Sequence, residues 1–228
     1  VDEAQIQGAV PLMERALAAM ADLEGGALAN PTEERMVGHY WLRDSALAPE
    51  ASITDAIDDA RRAVQEVSTR LGAFKTIFHV GIGGSALGPH LLIDALSVSQ
   101  RQVRFLDNID PDGIADIIDA HRLDEVAIVV VSKSGTTAET MGALAELEEA
   151  LLLEGLELAD RAVAITHEGS ALAERAEQEG WLGLLPMWDW IGGRTSLTSA
   201  VGLLPATLAE LDGEGILEGA ARMDEWTR

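Results

Sequence analysis

The sequence contains no cysteine, and this absence excludes disulfide bonds, thiolate catalysis and zinc–thiolate sites. It also fits a reducing compartment, and we expect a cytoplasmic protein. No apolar run approaches the ~20 residues that a membrane-spanning helix needs, and residues 1–10 lack the basic and then apolar order of a secretion signal. We therefore expect a soluble chain that has no membrane partner.

Basic residues are also scarce. Sixteen Lys and Arg stand against 39 Asp and Glu, which gives a net charge of −23 at pH 7. Only Lys75 and Lys133 are lysines. The resulting negative field would repel nucleic acid and anionic membrane surfaces, so we expect neither as a partner. An anionic ligand would need a local, well-placed positive site.

The histidines do not have metal-site spacing. They are His39, His79, His90, His121 and His167. No pair is four residues apart and none forms His-x-His, so the sequence predicts no metal. We interpret His79, in a predicted strand, and His121, at a predicted helix end, as structural.

The chain is long enough to bury one large core, because 47% of its 228 residues are hydrophobic. Apolar spacing predicts helices over residues 9–23 and 54–71, so we expect a helical segment (1–71) that packs on one main domain (72–228). The chain starts at Val1 and ends at Arg228, within an amphipathic stretch over 217–226 that has no Gly or Pro stop. Both ends look cut.

From Lys75 onward, short β-rich runs alternate with amphipathic segments. The predicted strands cover 76–80, 103–106, 126–131, 162–165 and, more weakly, 182–187. The predicted helices between them cover 87–97, 111–121, 137–153 and 170–178. This rhythm predicts a doubly wound α/β fold, with a mostly parallel five-stranded sheet and helices on both faces. In such a fold, function should lie in the strand-to-helix turns.

The first turn is glycine-rich and covers residues 81–89. Its glycines let backbone N–H groups approach an anion at a helix start. The pattern also fits a dinucleotide site, with Gly81, Gly83 and Ala86 as the fingerprint and Asp107 as the ribose-binding acid. A simple phosphate site fits equally well, and a tight turn without a ligand is a third interpretation.

The turn after the third strand is rich in hydroxyl groups. It contains Ser132, Lys133, Ser134, Gly135, Thr136 and Thr137. Hydroxyl and N–H groups at a helix start can enclose a phosphate. Alternatively, Thr136 or Thr137 could merely cap the helix, and Glu139 could complement its dipole rather than act as an acid or base. Two anion-suited turns in one sheet favour a monophosphate over a dinucleotide.

A third turn contains Gly192, Gly193 and Arg194 before an apolar segment. An arginine held by two glycines is suited to stabilise an oxyanion or a phosphate. On the residues alone, a surface Arg194 paired with Asp189 is the simpler interpretation. The tryptophans at 188 and 190 fit core or interface anchors better than sugar-stacking platforms.

Together these turns resemble the glucose-6-phosphate isomerase (phosphoglucose isomerase) family. The motifs are Gly-Ile-Gly-Gly-Ser-x-Leu-Gly-Pro at 81–89, Asp-Asn-x-Asp-Pro-Asp at 107–112, Ser-Lys-Ser-Gly-Thr-Thr-x-Glu-Thr at 132–140 and Gly-Gly-Arg at 192–194. They occur in the family's order, and the sequence at 38–43 looks like the bacterial and plastid-type branch. The resemblance runs from about residue 30 to the end of the chain.

The resemblance implies a flavodoxin-like sugar isomerase (SIS) domain that binds glucose 6-phosphate or fructose 6-phosphate without a metal or cofactor. It implies phosphate contacts from Gly84, Ser85, Ser132, Lys133, Ser134, Gly135, Thr136 and Thr137. Arg194 would stabilise the enediolate between aldose and ketose. The family's base, a Glu, and its ring-opening His and Lys lie in a second SIS domain that this chain lacks, and we assign no base here. The family is typically dimeric.

Two positions depart from the family's pattern. Thr195 replaces an aromatic residue that is common after Gly-Gly-Arg, and Ala138 replaces a common Pro. Neither is a proposed phosphate contact. The alternatives that we keep open are a non-catalytic sugar-phosphate sensor, which would not need Arg194, and a dinucleotide-dependent oxidoreductase, which would not need the hydroxyl-rich turn.

Overall fold

The computed structural model describes residues 2–227, so the terminal residues Val1 and Arg228, on which the expectation of cut ends depends, lie outside it. Five parallel strands form one sheet: β1 (Thr76–Val80), β2 (Gln102–Leu106), β3 (Val126–Val131), β4 (Ala162–Thr166) and β5 (Gly183–Pro186). Their order is β2-β1-β3-β4-β5. This is the flavodoxin-like order, so the predicted fold class is confirmed.

Eight α-helices accompany the sheet within the described residues. They are α1 (Glu3–Glu24), α2 (Ala51–Arg70), α3 (Leu87–Leu96), α4 (Pro111–Asp119), α5 (Ala138–Leu153), α6 (Ala171–Glu179), α7 (Ala200–Leu208) and α8 (Gly213–Thr227). The predicted elements are all present, with ends that differ by a few residues. None of these helices combines the length and the apolar character needed to cross a bilayer.

The core lies on both faces of the sheet because side chains alternate along each strand. On one face, Ile77 and Val129 pack with Val64 of α2 and Val201 of α7. On the other face, Phe78 and other strand side chains pack against α4, α5 and α6. Since both faces are covered, the strands are long apolar runs, and all six residues of β3 are buried.

The segment before the sheet contacts this core directly. Helix α2 contributes Val64, Val67 and Leu71, the residue just after it, to the sheet cluster. A smaller cluster joins Trp41 and Ile57 to Ile191, which lies in the turn after β5. Helix α2 and the segment around Trp41 thus pack on the α/β unit, while the division of the chain at residue 71 stays a prediction.

Candidate functional site

The two anion-suited turns lie side by side at the carboxyl edge of the sheet. β1 and β3 are adjacent and parallel, and the chain reverses its direction of winding between them. The turns that follow these two strands therefore flank the topological switch point, where ligands bind in open α/β sheets.

Hydroxyl groups converge in the turn after β3. The Thr137 Oγ1 atom lies 3.0 Å from Ser132 Oγ and 3.4 Å from Ser134 Oγ. The backbone N–H of Gly135 donates to Ser132 Oγ at 3.1 Å. Gly135 has a left-handed φ of 69°, which favours glycine. The loop is thus held in a tight curl by its own hydroxyls.

The start of α5 opens into this loop. Thr137 occupies the N-cap position, but its side chain makes no capping hydrogen bond. Thr136 Oγ1 instead donates to Ser134 Oγ at 3.3 Å. The alternative that either threonine caps the helix is therefore wrong for this structure. The amino-terminal N–H groups of α5 lie beside a cluster of hydroxyls, an arrangement suited to an anion.

Lys133 connects the turn after β3 to the turn after β5. Its Nζ atom donates to the carbonyl oxygen of Asp189 at 2.9 Å and to that of Ile191 at 3.1 Å. The same Nζ lies 3.4 Å from Asp189 Oδ1. The ammonium group is therefore fixed in position at the cavity wall.

Asp189 is surrounded by basic side chains from three parts of the chain. Besides Lys133, His167 Nε2 lies 3.1 Å from Asp189 Oδ2 and Arg35 Nη2 lies 3.8 Å from Asp189 Oδ1. Burial favours a higher pKa for the Asp189 carboxyl, but interaction with His167, Lys133 and Arg35 outweighs it and holds the pKa below its usual value. Asp189 therefore stays ionised beside these three side chains.

The first and third turns interlock through their glycines. A Cβ atom built on Gly84 would lie 2.4 Å from the carbonyl carbon and oxygen of Gly193. Ser196 Oγ lies 3.1 Å from Gly84 O and 2.8 Å from Gly193 O, so one hydroxyl bridges both carbonyls. The spacing of Gly84, Gly193 and Ser196 is thus set by backbone contact.

His79, in strand β1, forms a hydrogen bond with the first turn. It is fully buried in β1, and its Nε2 lies 2.7 Å from the carbonyl oxygen of Ser85. A carbonyl only accepts, so Nε2 carries the proton. Burial is the main cause that lowers the pKa of His79 to about 4, so the ring is neutral. The prediction of a structural His79 fits this contact with the turn.

Arg194 is exposed, and within residues 2–227 its guanidinium makes no hydrogen bond or ion pair with a side chain. The simpler interpretation of an Arg194 paired with Asp189 is therefore wrong, because Asp189 pairs with Lys133 and His167. The adjoining Thr195 donates its hydroxyl to Gly192 O at 3.1 Å, which fixes the turn. Arg194 keeps its donors available for a ligand.

Two adjoining cavities occupy this edge of the sheet. The first, of about 600 Å³, contains five of the predicted contact residues in its wall: Gly84, Ser85, Lys133, Ser134 and Thr137. The second, of about 570 Å³, contains Arg194 and shares Arg35, Lys133, Asp189 and Gly193 with the first. Three predicted residues, Ser132, Gly135 and Thr136, line neither cavity; they make hydrogen bonds within the loop.

Sequence reasoning missed several wall residues: Arg35, His167, Glu168 and Ser170. The turn after β4 supplies three of them. The sequence could have indicated these three residues. Because β4 lies beside β3 in a parallel sheet, the turn after β4 lies at the same edge as the turn after β3. Arg35 had no local signal.

Asp107 and Glu139 line neither cavity. The dinucleotide interpretation needs Asp107 beside the ligand, so the geometry gives it no support. Within residues 2–227, no group of three or more His, Cys, Asp and Glu residues is placed to hold a metal ion.

The fold defines an α/β protein of the doubly wound class, with two glycine- or hydroxyl-rich turns side by side at the carboxyl edge of its sheet. The model of the family described as phosphoglucose isomerase matches residues 9–228. The chain belongs to this family.

Curated relatives agree with this assignment. The chain is 46% identical over 239 residues to the glucose-6-phosphate isomerase of Synechococcus sp. (strain JA-3-3Ab), with 99% of this chain and 45% of that protein covered. It is 47% identical over 233 residues to that of Geotalea daltonii, with 96% and 44% covered. The chain therefore spans about 45% of the length of the relatives it matches.

Solved structures show the same relationship. The crystal structure of a glucose-6-phosphate isomerase from Chlamydia trachomatis matches with a TM-score of 0.84 at 31% identity, over 99% of this chain and 46% of that one. A hypothetical protein from Thermus thermophilus matches with a TM-score of 0.81 at 27% identity, over 97% and 49%.

Proposed function

We propose that this chain provides the sugar-phosphate site for the reversible isomerisation of glucose 6-phosphate to fructose 6-phosphate through a cis-enediol. The observation that carries the proposal is the hydroxyl-rich loop at the start of α5, with the anchored Lys133 beside it and Gly84 and Ser85 in the same cavity wall. The relatives of the chain are named for this reaction.

The phosphate of the sugar would bind where hydroxyl groups, backbone N–H groups and one ammonium converge. Ser134 and Thr137 would donate hydroxyl hydrogen bonds, and Lys133 would supply a local positive charge in a protein with a net charge of −23. The amino terminus of α5 adds partial positive charge.

Arg194 would act on the reacting carbons rather than on the phosphate. Its exposed guanidinium lines the adjoining cavity and has no protein partner within the described residues. A rigid fork of donors can stabilise the negative oxygen that develops in an enediolate. This feature favours an isomerase over a sensor that only binds the sugar phosphate. We assign no general base, and the homodimer and the cytoplasmic location that we expect stay predictions.

The test is calorimetric binding of fructose 6-phosphate to the 228-residue chain, with fructose as the ligand that lacks a phosphate. We expect saturable binding of the phosphate ester only, and loss of this binding in Lys133→Ala. Lys75→Ala is the matched control, because Lys75 lies before β1 at the opposite end of the sheet, paired with Glu125. Equal binding by wild type and Lys133→Ala would refute the phosphate assignment.

A second ligand separates the isomerase from the sensor. A phosphorylated hydroxamate that mimics the enediolate should bind more tightly than fructose 6-phosphate. Arg194→Met should remove this advantage and leave fructose 6-phosphate binding within about twofold. If Arg194→Met lowers both affinities equally, Arg194 only binds substrate and the enediolate role is wrong.

A further inference from the structure

Arg35 lies at the end of a tight hairpin in the segment that precedes the sheet. The N–H of Ala29 and the N–H of Asn30 donate to Arg35 O at 3.0 and 3.1 Å, and the N–H of Arg35 donates back to Asn30 O at 3.1 Å. Asn30 Oδ1 also accepts from the N–H of Thr32 at 3.1 Å. The backbone of Arg35 is therefore well fixed.

The hairpin contains a strained residue. Glu34 has a φ of 52°, in the left-handed region that residues with a side chain rarely adopt. A strained residue persists only where its surroundings enforce it, and such residues cluster at functional sites. Glu34 lies directly before Arg35 in the chain.

The hairpin is anchored to the turn that carries Arg194. The N–H of Gly38 donates to Trp190 O at 3.0 Å. A Cβ atom on Gly38 would lie 2.3 Å from the ring of Trp41 and 2.5 Å from the ring of Trp190, so only glycine fits between the two indoles. Arg35 thus has a fixed position relative to the candidate site, although it belongs to a distant part of the chain.

The guanidinium of Arg35 forms part of the wall that the two cavities share. It lies 3.2 Å from Glu33 Oε2 and 3.8 Å from Asp189 Oδ1, and the side chain is 44% exposed. Both contacts are ion pairs in water, which are weak. A guanidinium has five N–H donors, so most of them face the cavities or solvent.

We propose that Arg35 is a substrate-binding residue that contacts the sugar phosphate from the wall shared by the two cavities. This inference rests on the proposed function, and it gives the segment before the sheet a direct part in ligand binding. An arginine suits this position because its planar fork can bind phosphate or sugar oxygens in pairs, which a lysine cannot.

The first test compares Arg35→Met with wild type in calorimetric titrations with fructose 6-phosphate. We expect the affinity to fall about tenfold and to recover in part in Arg35→Lys, with unchanged far-ultraviolet circular dichroism. Arg62→Met is the matched control, because Arg62 is an exposed arginine of α2 paired with Asp59 and should leave affinity unchanged. Wild-type affinity in Arg35→Met, with binding lost in Lys133→Ala, would overturn the role of Arg35 and leave the proposed function intact. Failure of the wild-type chain to bind would overturn both.

The second test asks whether Arg35 acts on the ligand or only by balancing the charge of Asp189. Arg35→Met is introduced into an Asp189→Asn background, where the charge at position 189 no longer needs balancing. Direct contact predicts that Arg35→Met still weakens binding several-fold in this background. No further loss in the double variant would show that Arg35 acts only through Asp189, and the proposal would be wrong.

Discussion

The backbones of Gly84 and Gly193 touch, so the first and third turns of the site behave as one unit. The Cβ of an alanine at position 84 would lie 2.4 Å from backbone atoms of Gly193, which cannot rotate away as a side chain could. We expect Gly84→Ala to lower the free energy of unfolding by about 3 kcal/mol, because the two turns must separate. Urea denaturation measures this loss.

Gly142→Ala is the matched control for Gly84→Ala. Gly142 lies inside α5 with no atom within 4 Å of a Cβ placed there. The same substitution should therefore stabilise the chain by about 0.5–1 kcal/mol, through helix propensity. Equal effects of the two alanines would contradict the close contact between the turns.

Thr137 and Ser170 both line the first cavity, but they have different structural roles. Thr137 makes no cap, whereas Ser170 Oγ accepts from the N–H of Ala173 at 3.1 Å at the start of α6. We expect Thr137→Val to weaken fructose 6-phosphate binding several-fold and, through its lost hydrogen bonds to Ser132 and Ser134, to cost no more than about 1 kcal/mol of unfolding free energy. Ser170→Ala should cost about 1 kcal/mol of unfolding free energy. Thermal melts and calorimetry on the same two variants check this contrast, and a large loss of stability in Thr137→Val would refute it.

His79 should make the stability of the chain depend on pH. Its pKa is about 4 in the folded protein, against an ordinary value of 6.5, so below pH 6.5 the unfolded chain binds a proton that the folded chain does not. The contribution of His79 to the free energy of unfolding is therefore complete above pH 6.5. It falls by about 3 kcal/mol as the pH drops to 4. Urea denaturation between pH 4 and 7.5 measures the slope.

His79→Asn should remove this part of the slope, although it lowers stability at pH 7.5. Ile77→Val, also buried in β1, is the reference: it should cost about 1 kcal/mol at every pH and leave the slope unchanged. If His79→Asn keeps the wild-type slope, the neutral buried histidine is not its source.

The fold was readable from the sequence because buried parallel strands are continuous apolar runs. β3 is all Val, Ala and Ile, and β1 and β3 end directly before Gly81 and Ser132. The start of α1 was not readable from periodicity. The helix begins at Glu3, well before the apolar pattern at 9, because Asp2 and Gln5 form a capping box of polar side chains.

The candidate site was readable only in part. Lys133, the glycine turn and Arg194 each have a local pattern, and the parallel sheet brings their turns to one edge. The partners of Asp189 have no such pattern, since Arg35, Lys133 and His167 are distant in sequence and only tertiary packing brings them to one carboxylate. Sequence spacing cannot show which of several cations an aspartate will meet.

The packing of α2 against α7 has a consequence for how the chain folds during synthesis. Val64 and Val67 of α2 share one core cluster with Val201 and Leu204 of α7, although residues 71–199 separate the two helices. The apolar face of α2 is therefore synthesised early, and α7 packs on it only much later. The nascent chain needs another way to shield that face until α7 has emerged, which makes folding slow and exposes this stage to aggregation or to binding by chaperones.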